Sequence, residues 1–384
     1  MESYPALDAP VNTDVVVLGG GITGALLAWH LIEAGIGCVV LDKRDVAYGS
    51  TSASTAMLQY EIDTPLTELS QMLGEDHAAR AYLLCLQAIL DIEKLSEKLD
   101  ADVGFQKKSS LYYASRAQDV KLLRAEYDLR KKHGIELELW DEQDLAARFP
   151  FQKKAALYSP VAAEVDPYRL CHALLKEAEQ KGAHIFDRTE ALSWDMDHFG
   201  VTVRTNRNVE VRAKKIIFAS GYEAQSILKQ KVVNLRNSYA LVSEPVKTFE
   251  GWHEQALVWE TARPYHYART TQDGRIMIGG EDETFRTLPI RERRIPFKQA
   301  RLETKFRALF PEIPLETAYS WAGTFGETRD GLAYIGDHPD FPQAYFALGY
   351  GGNGITYSIL AAQMIRDVLL KGSHPDWDIF RFDR

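Results

Sequence analysis

The chain opens with an alternation of apolar runs that is typical of a strand, a helix and a second strand. Residues 14–18 form a compact apolar run, residues 25–34 have helical spacing, and residues 37–42 form another apolar run. Glycines at positions 35 and 37 close the helix. Because both runs are apolar at successive positions, we predict two neighbouring strands of a parallel sheet that is covered on both faces.

Further along, the pattern continues to mix both kinds of element. Helices are predicted for residues 74–100, 121–133, 168–181 and 355–370, and strands for residues 105–113, 184–186, 201–204 and 215–219. Residues 235–290 are rich in short β-type runs, with a turn at Asp273-Gly274. The order of these segments predicts an α/β chain in which separate stretches build one sheet and two insertions build a second domain.

Composition narrows the class of protein. The 384 residues carry a net charge of -9, with 46% hydrophobic and 26% charged residues, and the charge is not gathered in a tail. We therefore expect no nucleic-acid partner, no membrane span and no secretion signal, and residues 1–10 are expected to form a loose tail. The three cysteines, Cys38, Cys85 and Cys171, form no paired motif, so we expect no metal site, no disulfide and a cytoplasmic location.

The segment between the first strand and helix carries a phosphate-binding pattern, which we call the glycine turn (residues 19–24). Gly19, Gly21 and Gly24 form GxGxxG around Ile22 and Thr23. Such glycines allow a tight turn, close approach of the backbone to a pyrophosphate, and close packing of helix on strand. Asp42 stands 18 residues after Gly24, where a carboxylate accepts ribose hydroxyls. Lys43 and Arg44 follow it and leave open a reading with a 2′-phosphate, as in NADP.

Three further segments bring small residues to the same region. The small-residue loop (residues 48–56) offers Ser50, Ser54, Thr55 and Ala56, and the run of residues 216–221 ends in Ala219-Ser-Gly221. The second glycine turn (residues 349–354) holds Gly351, Gly352, Asn353 and Gly354 and leads through Ile355 into the last predicted helix. An uncapped helix start at that point would stabilise negative charge on a bound ring.

These motifs resemble the FAD-dependent D-amino-acid oxidase superfamily, in particular its glycine oxidase, sarcosine oxidase and γ-glutamylputrescine oxidase branch. The resemblance covers nearly the whole chain and implies non-covalent FAD, since no cysteine or histidine matches a linking position. It implies that FAD is bound by the residues named in the glycine turn, the small-residue loop, the end of the 216–221 run and the second glycine turn. Asp42, Lys43 and the backbone of Ala191 are implied to bind FAD as well. It also implies a Rossmann-type FAD-binding domain (residues 1–104, 156–232 and 322–384) with an inserted mixed-sheet α+β substrate domain (residues 105–155 and 233–321).

The resemblance is thinner on the substrate side. Relatives often place a carboxylate-clamping arginine four residues before the position of Arg329, whereas this chain has Phe325. If residues 264–269 form a strand, Tyr265, Tyr267 and Arg269 share one face, with His266 opposite, and we predict that these three residues bind substrate. Tyr60 is predicted to join them, with Gln59 and Glu61 beside it.

The activity implied is oxidation of a small amine or amino acid. In relatives a hydride passes from the substrate to flavin N5, and the resulting imine is hydrolysed by water. No acid–base pair is evident, so no catalytic residue is assigned. Oxygen, a quinone or another carrier remains open as the electron acceptor. Two alternatives also remain: oxidation of a hydroxyl substrate such as glycerol 3-phosphate or a 2-hydroxy acid, and a non-catalytic FAD-binding subunit.

Overall fold

A computed structural model describes residues 3–384 of the chain. The α-helices in this part of the chain are α1 (Ile22–Glu33), α2 (Ser50–Ala53), α3 (Leu66–Leu73), α4 (Glu75–Lys98), α5 (Val120–Lys132), α6 (Glu142–Ala146), α7 (Pro167–Gln180), α8 (Leu288–Leu309) and α9 (Gly354–Lys371). The helices predicted from the pattern correspond to α1, α4, α5, α7 and α9, with ends shifted by a few residues.

The strands of the described chain form two sheets. They are β1 (Val11–Leu18), β2 (Cys38–Leu41), β3 (Met57–Leu58), β4 (Gln106–Tyr113), β5 (Glu138–Asp141), β6 (Ala155–Glu164), β7 (His184–Phe186), β8 (Ala191–Met196), β9 (Val201–Thr205), β10 (Glu210–Phe218), β11 (Asn234–Ser243), β12 (Leu257–Glu260), β13 (His266–Thr270), β14 (Ile276–Thr284), β15 (Thr317–Glu327), β16 (Tyr334–His338) and β17 (Phe341–Leu348).

The first sheet has the order β16-β17-β10-β1-β2-β7, with β9 and β8 continuing from β10. Its centre is parallel, because β1 pairs in parallel with both β2 and β10. Helix α1 crosses from β1 to β2 and packs against α7 and α9. Since both faces are covered at residues 15–18 of β1 and along β2, these stretches are apolar at every position.

The second sheet has the order β15-β11-β14-β13-β12-β4-β6-β3, with β5 paired to β6. It is mostly antiparallel and packs α8 against β11, β14 and β15. A separate hydrophobic core lies under it, built around Tyr239, Trp252, Phe306 and Phe310. The mixed α/β class with two sheets that the sequence predicts is therefore confirmed.

Three local predictions need correction. The sequence prediction places residues 156–164 in the FAD-binding domain, but β6 pairs with β4 and β5 in the second sheet. The described part of the predicted tail is anchored, since the Tyr4 N–H donates to Asp187 and the Leu7 N–H to Thr189; residues 1 and 2 lie outside the described chain. Helix α8 lies in a region for which no helix was predicted. Between residues 3 and 384, none of the helices has the length and apolar character needed to cross a bilayer.

Candidate functional site

A cavity of about 880 Å³ runs between the two sheets and the ends of the first sheet's parallel strands. This volume lies in the upper part of the range of roughly 300–1,000 Å³ seen for small-molecule and cofactor sites. It is lined by the glycine turn, the small-residue loop, the end of β10 and the second glycine turn. Segments from the start, middle and end of the chain therefore converge on one space.

The glycine turn owes its shape to close backbone contacts. At Gly24 a Cβ atom would lie 1.8 Å from the carbonyl oxygen of Gly19, and at Gly19, where φ is +118°, it would lie 2.5 Å from that of Ala219. Gly21 lines the cavity and precedes α1 without a side-chain cap. The start of α1 thus faces the cavity, as a pyrophosphate site requires.

Asp42 supports this turn from the end of β2. Its carboxylate accepts hydrogen bonds from the N–H groups of Gly20 (2.7 Å) and Arg44 (2.8 Å). Burial raises the pKa of Asp42, and these two hydrogen bonds oppose that effect. Glu223 lies beside them, with Oε2 2.6 Å from Lys43 Nζ and Oε1 3.4 Å from the Arg44 guanidinium. Because Glu223 pairs with both cations, the structure gives no support to the alternative in which Lys43 and Arg44 bind the 2′-phosphate of NADP.

The small-residue loop contributes a contact that the sequence reasoning missed. Thr51, buried in this loop, accepts a hydrogen bond from the N–H of Ile22 at 2.9 Å and so fixes the loop to the start of α1. Trp321 of β15 donates to the carbonyl of Ala53 at 2.9 Å and holds the other side. The available signal is a threonine inside the small-residue loop, but the sequence prediction includes Ser50, Ser54 and Thr55 and not Thr51.

The second glycine turn is fixed by Asp63, which was also missed. Asp63 accepts from the N–H of Gly352 (2.8 Å) and from the Tyr265 hydroxyl (2.9 Å). Asn353, which is buried, donates its side-chain amide to the carbonyls of Gln59 and Glu61. The start of α9 has no side-chain cap, and a Cβ at Gly354 would meet no atom within 4 Å. A flat ring can therefore approach this backbone closely.

The residues predicted to bind the cofactor are brought together. All of them except Gly24, which packs against Gly19, line the cavity: Gly19, Gly21, Ile22, Thr23, Asp42, Lys43, Ser50, Ser54, Thr55, Ala56, Ala191, Ala219, Gly221, Gly351, Gly352, Asn353, Gly354 and Ile355. Within residues 3–384 no cysteine or histidine lines it, and no group of side chains there is arranged to hold a metal ion.

The residues predicted to bind substrate are only partly brought together. Tyr265 and Tyr267 line the cavity, and the Tyr267 ring lies over Gly279 of β14, where a Cβ would come 2.3 Å from it. Burial raises the pKa of Tyr267 to about 12, so its phenol is a hydrogen-bond donor at neutral pH. Trp259 stands beside Tyr265, with ring centroids 6.1 Å apart, and adds a third aromatic wall.

Arg269 and Tyr60 do not reach the cavity, and their predicted substrate roles are corrected. Arg269 lies on β13 with Tyr267, but its guanidinium donates to the carbonyl of Thr55 at 2.5 Å and faces Glu164 at 3.3 Å. Tyr60 is fully buried, and its hydroxyl meets Arg130 at 3.5 Å. Both side chains lie behind the residues that line the cavity. There Arg269 pairs with Glu164 and the Tyr60 hydroxyl contacts Arg130, because buried charges need partners.

Carboxylates outnumber cations around the cavity. The cavity is also lined by Gln59, Glu61, Asp282, Arg291 and Phe325. Arg329, by contrast, is exposed. Burial raises the pKa of Glu61 to about 6, while its neighbour Arg130 opposes that shift. Arg291, at the start of α8, is already bound to Glu292 (2.6 Å) and Thr324 (2.9 Å). His266 points to the opposite face and bridges Glu260 and Glu281.

Comparisons with known proteins agree with this geometry. Residues 14–368 match the sequence model of the DAO family, described as FAD dependent oxidoreductase. The chain is 25% identical to the glycine oxidase of Bacillus subtilis, over 97% of each chain. The crystal structure of glycine oxidase from Geobacillus kaustophilus superposes with a TM-score of 0.78 at 22% identity, covering 95% of this chain and 96% of that one.

A further solved structure of the same fold contains the dinucleotide. The dithionite-reduced L-α-glycerophosphate oxidase of Mycoplasma pneumoniae with FAD bound superposes with a TM-score of 0.77 at 16% identity. The match covers 96% of this chain and 98% of that one. At this identity the likeness concerns the fold alone.

Proposed function

Since the chain belongs to the FAD dependent oxidoreductase family, we propose that it binds FAD non-covalently in the cavity and oxidises a small amine or amino acid there. One observation supports this proposal above the others. The uncapped starts of α1 and α9, each preceded by glycines, face one cavity from opposite ends of the chain. Such helix starts suit the pyrophosphate and the reduced ring of a flavin dinucleotide.

Bound FAD would supply the hydride acceptor, and the chain's own residues would prepare the substrate. Tyr265 and Tyr267 offer phenol donors, and Trp259 supplies an apolar wall that keeps water away from the reacting carbon. Asp63 links Tyr265 to Gly352, so the substrate wall and the second glycine turn keep a fixed spacing.

Phe325 favours an amine over a simple amino acid. The side chain lines the cavity, and the arginine nearest in sequence to it, Arg329, is exposed. The guanidinium of Arg291 is committed to Glu292 and Thr324. Arg44, the other arginine that lines the cavity in residues 3–384, faces Glu223, so a substrate carboxylate would find neither arginine free to hold it by two hydrogen bonds.

The test is anaerobic bleaching of the flavin. The purified, yellow protein is mixed in turn with primary amines, secondary amines, amino acids and 2-hydroxy acids, and the visible flavin band is followed. We expect bleaching by amines, with the corresponding aldehyde or ketone and ammonia or amine as products. Bleaching by hydroxy acids alone, or by none of these classes, would contradict the proposal.

Non-covalent attachment is tested separately. Because no cysteine or histidine of residues 3–384 lines the cavity, we expect acid precipitation to release the yellow colour into the supernatant. Colour retained in the washed protein pellet would show a covalent link and overturn this part.

A further inference from the structure

Asp282 is a carboxylate on the cavity wall, and one of its two oxygens is left without a hydrogen bond from the described residues. It lies on β14, beside the point where the pairing of β11 with β14 shifts register between Asn237 and Tyr239. Its Oδ1 atom is shielded from solvent and has no hydrogen-bond partner within residues 3–384. In the same range, no lysine, arginine or histidine forms a salt bridge with it. A shielded carboxylate oxygen without a hydrogen bond is costly, so this atom calls for an explanation.

Other acidic groups around it face a donor or a cation, although Glu61 Oε2, like Asp282 Oδ1, has no hydrogen-bond partner within residues 3–384. Both oxygens of Asp63 accept hydrogen bonds, from Tyr265 and Gly352. Glu61 faces the guanidinium of Arg130 at 3.6 Å. Glu281, the neighbour of Asp282 in the chain, faces Lys298 at 3.3 Å. Asp282 therefore differs from its neighbours in lacking a cation, although it is placed at the cavity.

The surroundings of Asp282 favour a positive ligand over protonation alone. Burial raises the pKa of Asp282 to about 6. A hydrogen bond from Ser238 lowers this pKa, whereas the negative charges of Asp63 and Glu327 raise it further. Lys298 lowers it slightly. At neutral pH the group is mainly ionised, and the cations that line the cavity in residues 3–384 are Lys43, Arg44 and Arg291, each already paired.

The neighbouring walls are aromatic. Tyr265, Tyr267 and Trp259 line the same cavity, and the Tyr265 ring lies 6.0 Å from that of Tyr267 and 6.1 Å from that of Trp259. Aromatic faces attract ammonium groups, most strongly where water is excluded. A carboxylate together with three aromatic rings is a combination that recognises a positively charged nitrogen and repels a carboxylate.

We propose that Asp282 binds a positively charged nitrogen of the substrate, and that the cavity therefore selects cationic amines over amino acids that depend on a carboxylate contact. This inference rests on the proposed function, and it names the residue that sets the charge of the substrate. The missing partner of Asp282 is then supplied by the ligand.

Three probes of similar shape and different charge test the inference: tert-butylammonium, tert-butanol and pivalate. None can lose hydride from a carbon that bears nitrogen, so binding is measured without turnover. Dissociation constants are taken for the FAD-containing protein by calorimetry and by perturbation of the flavin spectrum. We expect tert-butylammonium to bind at least about tenfold more tightly than the other two. Equal or tighter binding of pivalate would overturn the inference.

The variant Asp282→Asn tests the residue itself. We expect it to weaken binding of tert-butylammonium by about 10–100-fold and to leave binding of tert-butanol unchanged. Asp273→Asn is the matched control, because it makes the same charge change in the exposed turn between β13 and β14. Circular dichroism and the flavin spectrum check that both variants fold. Unchanged affinity of Asp282→Asn for tert-butylammonium would refute the role of Asp282.

The two proposals fail in different experiments. If oxidisable amines do not bleach the flavin but tert-butylammonium binds through Asp282, the proposed reaction is wrong and the cation site stands. If amines bleach the flavin while Asp282→Asn binds the cation normally, the reaction stands and the assignment of Asp282 is wrong.

Discussion

Single side chains join the walls of this cavity, and Asp63 is the clearest case. It follows the small-residue loop in the chain, yet its two oxygens contact the Tyr265 hydroxyl of the second sheet and the Gly352 N–H of the second glycine turn. Nothing in the local pattern around position 63 marks this role, because the partners lie 202 and 289 residues away. Contacts of this separation depend on the completed fold.

Replacing Asp63 should loosen the second glycine turn. We expect Asp63→Ala to raise the dissociation constant of FAD about tenfold, because the Gly352 N–H loses a charged acceptor in a partly exposed position. Asp63→Asn should lose less affinity for FAD, since a rotated amide can still accept a hydrogen bond from the Gly352 N–H and donate one to the Tyr265 oxygen. Fluorescence titration of the apoprotein with FAD measures both, and wild-type affinity of Asp63→Ala would contradict the assigned contact.

At the same scale, Asp282 gives a dependence on pH. Because the pKa of Asp282 is raised to about 6, its charged form disappears as the pH falls below that value. We expect the affinity for tert-butylammonium to fall roughly tenfold between pH 7 and pH 5 in the wild type, and to stay flat in Asp282→Asn. Titrations at several pH values decide this, and a flat wild-type profile would count against it.

The same raised pKa has a consequence for stability. A carboxyl whose folded pKa exceeds its unfolded value lowers the free energy of unfolding as the pH rises from about 4 to 6, and the loss is complete above that range. We therefore expect Asp282→Asn to be more stable than the wild type at pH 8, by up to about 2 kcal/mol, and to lose that advantage near pH 4. Thermal denaturation at the two pH values measures the difference, and a less stable variant at pH 8 would oppose it.

At the scale of elements, the pairing of β13 with β14 positions the substrate wall. The Tyr267 ring lies over Gly279, and only a residue without Cβ leaves room for it, since a Cβ would come 2.3 Å from ring atoms. We expect Gly279→Ala to displace Tyr267 and lower kcat/KM for amines by at least about tenfold, with FAD affinity unchanged. The measurement is steady-state kinetics beside FAD titration.

A second change controls for general damage to the strand. In the double variant Gly279→Ala with Tyr267→Ala the crowding is relieved, so the effects of the two changes on stability should not add. Additive losses would show that Gly279→Ala acts on the backbone and not through the ring.

Helix α8 shows why one element escaped prediction. Its buried positions Lys298, Leu302, Phe306 and Leu309 have helical spacing, but the first is a lysine and Pro296 interrupts the run before it. Lys298 is buried because its ammonium donates to the carbonyl of Glu281 at 2.7 Å. A charged residue in a core position hides the apolar periodicity, and only the tertiary partner explains it.

For the whole molecule, the cofactor side was predictable and the substrate side was not. Glycine turns and apolar parallel strands are local signals, and they led to the cavity lining almost residue by residue. On β13 the alternation placed Arg269 with Tyr267 on one face, but two residues along a strand is about 7 Å, enough to move it beneath the small-residue loop. The packing of the two sheets against each other decides which side chains of a strand reach the cavity. A pattern along the sequence carries no information about that packing.

Arg384 links the last described residues to the body of the protein. Its guanidinium lies 2.8 Å from Asp330, donates to the carbonyl of Leu332 and stacks on Tyr334. Burial alone would raise the pKa of Asp330, but the guanidinium outweighs it and holds the pKa below its ordinary value. The ion pair therefore stabilises the fold above about pH 4, and this contribution is lost as the pH falls through the lowered pKa.

We expect Arg384→Ala to lower the free energy of unfolding by about 2–4 kcal/mol at neutral pH, because Asp330 is left buried without its partner. The loss should shrink below about pH 4. Arg381→Ala is the control, since Arg381 pairs with exposed Asp378 and Asp383 and its removal should change stability by less than about 1 kcal/mol. Denaturant unfolding measures both, and equal losses in the two variants would contradict the buried pair.

The convergence of the two glycine turns also fixes an order of events in the cell. The first turn leaves the ribosome before its counterpart, which follows residue 348 and lies between β17 and α9. Between the synthesis of α1 and that of α9, a growing chain therefore carries one helix start of the proposed cofactor site without the other. Cofactor capture in the complete cavity then has to follow the synthesis of α9, and a chain whose synthesis stalls before α9 would lack the second half of the site.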